Sequence, residues 1–136
     1  MYAFVDRPVG TLKPGARFLL WAMRGWIASA AQGECPPRTL ACGFAQRGAL
    51  PALPPLNRLL ATLNTQARDA IAFHPLACPR IGEDEAILLQ LWEDARAAPV
   101  RARATLALIL EETAVEPGFE ALLAVSARLA EAGLDA

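Results

Sequence analysis

The stretch Ile71-Ala-Phe-His-Pro-Leu-Ala-Cys-Pro-Arg-Ile-Gly-Glu-Asp-Glu-Ala-Ile-Leu-Leu-Gln-Leu-Trp-Glu-Asp-Ala-Arg96 decides how this chain is read. Its first part alternates briefly, with Ile71 and Phe73 against Ala72 and His74, and then meets Pro75 and Pro79, which a helix interior does not accommodate. After Gly82 come three carboxylates, Glu83, Asp84 and Glu85, placed where the positive end of a helix dipole favours them. Ile87, Leu88, Leu91, Trp92 and Ala95 then fall on one helical face. A loop running into an amphipathic helix is therefore predicted. The loop also holds the chain's single histidine, His74, four residues before Cys78.

Working outward, the same periodicity predicts helices on both sides. Pro14 opens a helix that runs to about Gln32 and stops at Gly33. It is apolar almost all round, so it should be the central, mostly buried helix. Lys13, Arg17 and Arg24 form its narrow polar edge, and Trp21 projects near that edge as an exposed contact point. A short helix follows from about Pro37 to Arg47, burying Leu40 and Phe44. Leu50 to Pro55 has three prolines and reads as an extended connector. The next helix puts Leu56, Leu59, Leu60, Leu63, Ala67 and Ala70 on one face. Pro99 opens a fifth helix with Ala102, Leu106, Ile109, Leu110 and Thr113 inward. Pro117 opens a sixth, with Phe119, Leu122, Leu123, Ser126 and Leu129 inward, and Gly133-Leu134 ends it in a Schellman turn. The expected fold is all-α, one domain over residues 1–136, a compact bundle of five or six short helices. Residues 1–13 form an arm, and a minor β-ribbon is expected from residues 2–5 and 70–74.

Composition sets limits on function. A chain of 136 residues that is 54% hydrophobic and 20% charged can bury a core, and disorder is excluded. Arginine outnumbers lysine 12 to 1, a bias of base composition as much as of binding. The net charge of −1 gives no electrostatic case for nucleic acid. Residues 1–80 carry nine Lys/Arg against three Asp/Glu, whereas residues 81–136 carry four against eleven, so the halves attract each other within or between chains. The plain reading is two opposite solvated faces of one fold. Three cysteines cannot all pair within one chain, which argues against a disulfide scaffold. The apolar run from Phe18 to Ala31 is interrupted by Arg24. Neither a secretory signal nor a span of about 20 apolar residues results. A cytoplasmic protein without membrane partners is expected.

These residues suggest four kinds of chemistry. Cys35, Cys42, His74 and Cys78 supply three thiolates and an imidazole, a set zinc accepts, and His-x3-Cys is a usable half-site. Six residues separate Cys35 from Cys42, wider than structural zinc sites favour. A reactive thiol is the related reading, with Cys35 at a helix start or His74 activating Cys78. Glu111, Glu112 and Glu116 crowd the end of the fifth helix, but no histidine completes a di-metal motif. Ser29 and Ser126 lie outside any nucleophile-elbow pattern. The fourth and fifth helices read poorly as helix-turn-helix, because Leu106 to Leu110 is apolar where a recognition helix is polar.

Cys78-Pro79-Arg80, with Asp84-Glu85 and Leu88-Leu89 after it, resembles a stretch in a group of small alphaproteobacterial helical proteins with no known activity. Members of that group carry adjacent cysteines before the Pro-Arg step, where this chain has Ala77 and a single Cys78. The resemblance implies that the turn from Cys78 to Asp84 is a landmark. The residues themselves say how: Arg80 reaches Asp84 or Glu85 and fixes the chain's path into the fourth helix, and His74 with Arg80 near an anion is the functional version. The functional turn is thus His74, Cys78, Arg80, Asp84 and Glu85, and the contact residues are Arg17, Trp21 and Arg24. A non-enzymatic protein acting through protein contacts, as a homodimer and without a cofactor, is expected. The alternative is a small metal- or thiol-dependent protein with zinc at Cys35, Cys42, His74 and Cys78. No small-molecule ligand can be named from the sequence.

Overall fold

The computed structural model describes residues 4–135. They form six α-helices: α1 (Pro14–Ala31), α2 (Pro36–Gln46), α3 (Leu53–Gln66), α4 (Glu83–Ala97), α5 (Pro99–Ile109) and α6 (Val115–Glu131). The fold is an all-α bundle, as the periodicity predicts. No described helix is long and apolar enough to cross a membrane. α1 pairs with α2, α3 with α6 and α4 with α5, and α4 also touches α1 and α6. One hydrophobic core runs through all of them from Leu12 to Leu134.

α1 is the central helix, buried at eleven of its eighteen positions. Its tightness depends on small residues. A Cβ on Gly15 would come within 2.6 Å of the Leu134 carbonyl oxygen, so only glycine lets the C-terminal backbone cross there. Trp26 Nε1 donates to Asn57 Oδ1 on α3 at 2.9 Å, and Ser29 shares a hydroxyl hydrogen bond with Thr39 on α2. α1, α2 and α6 all end in Schellman turns. For α6, the Leu134 N–H donates to the Leu129 carbonyl and the Gly133 N–H to that of Ala130, with Gly133 at φ 76°.

The structure corrects several boundaries and faces. Leu50 to Pro55 is not an extended connector. A 3-10 turn, Leu50–Ala52, leads straight into α3, whose first turn contains Pro54 and Pro55. Prolines are tolerated there because first-turn N–H groups have no intrahelical acceptor to lose. α3 ends at Gln66 rather than continuing through Ala70. The Arg68 N–H donates to the Ile109 carbonyl and the Glu111 N–H to the Gln66 carbonyl, so the chain leaves α3 by pairing with the end of α5. α6 starts at Val115, two residues before Pro117, and buries Val125 while Leu123 faces out. Leu110 is buried beyond the end of α5, and Thr113 is exposed.

The expected ribbon between 2–5 and 70–74 is also corrected. Residues 2 and 3 lie outside the described residues, and 4–5 and 70–74 are not strands. The arm instead meets the chain further on, around an isolated bridge between Pro8 and Arg80. Asp6 N–H donates to the Ile81 carbonyl, Ile81 N–H to that of Arg7, and Val9 N–H to that of Pro79.

Candidate functional site

The loop from Ala67 to Gly82 has almost no secondary structure, and it is held from beneath by one buried ion pair. Arg24 arrives from α1 and Glu85 from the first turn of α4, with side chains 2% and 0% exposed. Arg24 Nε donates to Glu85 Oε2 at 2.7 Å and Nη2 to Oε1 at 2.9 Å, a bidentate arrangement. The guanidinium also donates to two loop carbonyls, Cys78 through Nη1 and Arg80 through Nη2, each at 2.8 Å. Glu85 accepts two further bonds, from the His74 N–H at 3.0 Å and the Gly82 N–H at 2.9 Å. One carboxylate and one guanidinium thus close the loop over the start of α4.

The sequence builds this clamp locally as well as across the fold. Gly82 is the N-cap of α4, and Glu85, three residues on, reaches back to its N–H as in a capping box. A Cβ on Gly82 would come within 2.8 Å of His74 Nε2, so glycine also makes room for the imidazole. Asp84 secures the other end of the loop by accepting from the Ala72 N–H at 2.7 Å. Burial disfavours the charged form of Glu85, but the Arg24 hydrogen bonds and the Gly82 and His74 N–H groups outweigh it and hold the carboxyl below its ordinary range. The Glu85 carboxylate in turn raises Arg24 against its own desolvation.

This geometry reassigns two residues. Arg24 is not on a solvated edge; it is buried at 3% exposure and unavailable as a contact residue. Arg80 does not reach Asp84 or Glu85 but donates from Nη1 to the Asp6 carbonyl at 3.2 Å, tying the arm to the loop. Arg24 takes the place expected for Arg80, because it approaches from a helix 61 residues away in sequence. Two signals pointed to it: a lone charge inside the apolar run Leu19–Ile27, and a glutamate three residues after a helix-opening glycine.

The remaining sequence-derived residues are scattered. His74 is exposed, with its ring against Gly82, and Cys78 is half-buried with its thiol on the Arg80 carbonyl. Cys35 caps the start of α2 and Cys42 lies on its exposed face, next to Gln46. Among the described residues no three His, Cys, Asp or Glu side chains stand close enough to hold a metal ion, so these four are not brought together. Glu111 pairs with Arg68 and Glu116 with Arg103, both in solvent. Arg17 and Trp21 are exposed.

Chemically, the clamp is saturated. All four hydrogen bonds that the two Glu85 oxygens accept come from the protein, and no buried side-chain N or O among the described residues lacks a partner. Such a pair positions backbone; it has no free lone pair or proton to offer a substrate. No protein-family profile, curated protein or solved structure matches the chain.

The most conspicuous surface lies elsewhere. Val100 and Leu108 on α5 are 85% and 80% exposed, the most exposed large apolar side chains described. Ala104 lies exposed between them. α5 buries Ala102, Leu106 and, just past its end, Leu110 on the opposite side. Both faces of this helix are therefore apolar. Beside it, Ile87, Leu91, Leu108 and Ile109 line a hollow of about 410 Å³ between α4 and α5, rimmed by Asp94 and Arg101.

Proposed function

We propose that this chain is a cytoplasmic, non-enzymatic helical protein that acts through protein contacts, first of all with a second copy of itself. The observation that carries the reading is the outward stripe Val100–Ala104–Leu108 on a helix whose other side is already packed. Exposed apolar stripes on otherwise well-satisfied domains mark contact surfaces.

The stripe fits its own copy. When two α5 helices run antiparallel about Ala104, Val100 faces Leu108 of the second copy, and the alanines meet at the centre, where their small size lets the backbones approach. In that register Arg101 faces Ala107, and Arg103 faces Thr105, so no like charges oppose each other. Arg101 and Arg103 are each already paired with a carboxylate of their own chain, Asp94 and Glu116. Val100 to Leu108 spans only about 12 Å along the helix. The interface therefore also needs the adjoining hollow at Ile87 and Leu91, and it belongs with the small, reversible class.

Light scattering over a concentration series should show mass rising from the 14.5 kDa of one chain toward twice that value. Leu108→Asp should hold it at one chain with unchanged helix content. A wild-type mass that stays at one chain up to millimolar concentration overturns the reading.

A further inference from the structure

We propose that the hollow between the first half of α1 and the second half of α2 binds a small aromatic anion, a flat ring carrying a carboxylate or phosphate. Arg17, Phe18, Trp21, Gly43, Gln46 and Arg47 line it, and its volume is about 410 Å³. That volume lies within the ~300–1,000 Å³ of small-molecule sites.

Charge defines the first half of the ligand. Neither α1 nor α2 contains an Asp or Glu. Among the described residues, carboxylates pair with Arg24, Arg68, Arg96, Arg101, Arg103 and Arg128, and with neither Arg17 nor Arg47. Two arginines therefore line the hollow, and no carboxylate does. Arg47 is oriented without being neutralised: its Cζ stands 5.6 Å from the centre of the Phe18 ring. Its guanidinium N–H donors make no hydrogen bond among the described residues, so they remain available to a carboxylate or phosphate, which a guanidinium fork matches.

Shape defines the second half. Trp26 and Trp92 are 5% and 3% exposed, whereas Trp21 is 37% exposed at the hollow. Its ring is fixed by Phe18 at 5.6 Å and Phe44 at 6.3 Å between centroids. A Cβ at residue 43 would collide with the indole, so Gly43 is what lets the ring lie against α2. A held, part-exposed indole beside two unneutralised arginines suits a flat anion. The hollow is sized for one ring system, not for an extended acidic chain.

The test uses the full chain, ¹⁵N-labelled, titrated separately with phenyl phosphate, inorganic phosphate and phenol while the Trp21 indole N–H and the Gly43 amide are followed. Phenyl phosphate should give saturable shifts at both groups, at concentrations about tenfold lower than phosphate or phenol. Arg17→Gln and Arg47→Gln should each weaken it about tenfold, the effect of one charge-assisted hydrogen bond. Both arginines are exposed, so the variants should retain the fold, which their unchanged remaining spectrum verifies. Absence of saturable shifts overturns the proposal. So does equal binding of inorganic phosphate, which would mean simple charge attraction, or affinity unchanged in both variants.

Discussion

Arg24 and Glu85 meet through bonds of 2.7 and 2.9 Å; Arg101 and Asp94 meet through bonds of 3.1 and 2.9 Å. The chemistry is the same and so is the two-pronged geometry, yet the surroundings differ. The first pair joins residues 61 apart and is shut off from water on both sides. The second joins residues seven apart, and its arginine is 67% exposed over a buried aspartate. The first also carries four bonds to backbone groups of the loop, counting both partners. The second borrows only Gln90 Nε2 at 3.2 Å. Burial and sequence separation, not bond length, decide which pair organises the fold.

The largest effect should come from Arg24→Met, which keeps much of the side chain's volume and removes its charge. Glu85 is then buried without its cation, and the Cys78 and Arg80 carbonyls lose their donor. Breaking one side of a buried pair costs about 3–5 kcal/mol, a large share of a domain's stability. Urea unfolding measures the loss, and hydrogen exchange should show residues 70–82 opening first. A loss comparable with that of an exposed pair would mean the loop is held by something else.

Acid should separate the pairs next. Burial acts against both carboxylates, but their hydrogen-bonded partners win, and Glu85 and Asp94 are both held below their ordinary range. A carboxyl lowered on folding contributes stability in full above its unfolded value of about 4 and loses it as pH falls through its folded value. Stability of the wild type should therefore drop below about pH 4, and Glu85→Gln should flatten most of that drop because its contribution is already absent. Equal acid slopes for the two proteins would show that Glu85 is not the main acid-sensitive group.

What was legible in the sequence follows the same division between local and distant. Six helices, a central α1, the acidic first turn of α4 and the glycine ends at Gly33 and Gly133 all depend on neighbours a few residues away. The partner of Glu85 does not. Helical periodicity places Arg24 beside Arg17 but says nothing of α4 arriving over it, so the sequence points to the nearer Arg80. The start of α3 is hidden for a related reason: three prolines between Leu50 and Pro55 suggest extended chain until Pro51 is placed in a 3-10 turn and Pro54 and Pro55 in the first turn of α3. The exposed apolar stripe on α5 is hidden in the sequence, because the buried residues satisfy the pattern and the opposite side is apolar too.

Arg101→Ala should give the smallest change, and it sharpens the comparison most. Its guanidinium is open to water, so the pair gains little beyond what hydration already supplies. Asp94 keeps its bond from Gln90, and water fills the place of the arginine. The variant should lose only a small fraction of what Arg24→Met loses. Salt supplies the control, since the screening length falls to about 3 Å at 1 M. Raising salt should erase the difference between Arg101→Ala and wild type while leaving that of Arg24→Met intact, because no ion reaches the clamp. If salt instead narrowed the Arg24→Met difference, the clamp would be open to solvent, and the contrast between the two pairs would be one of degree.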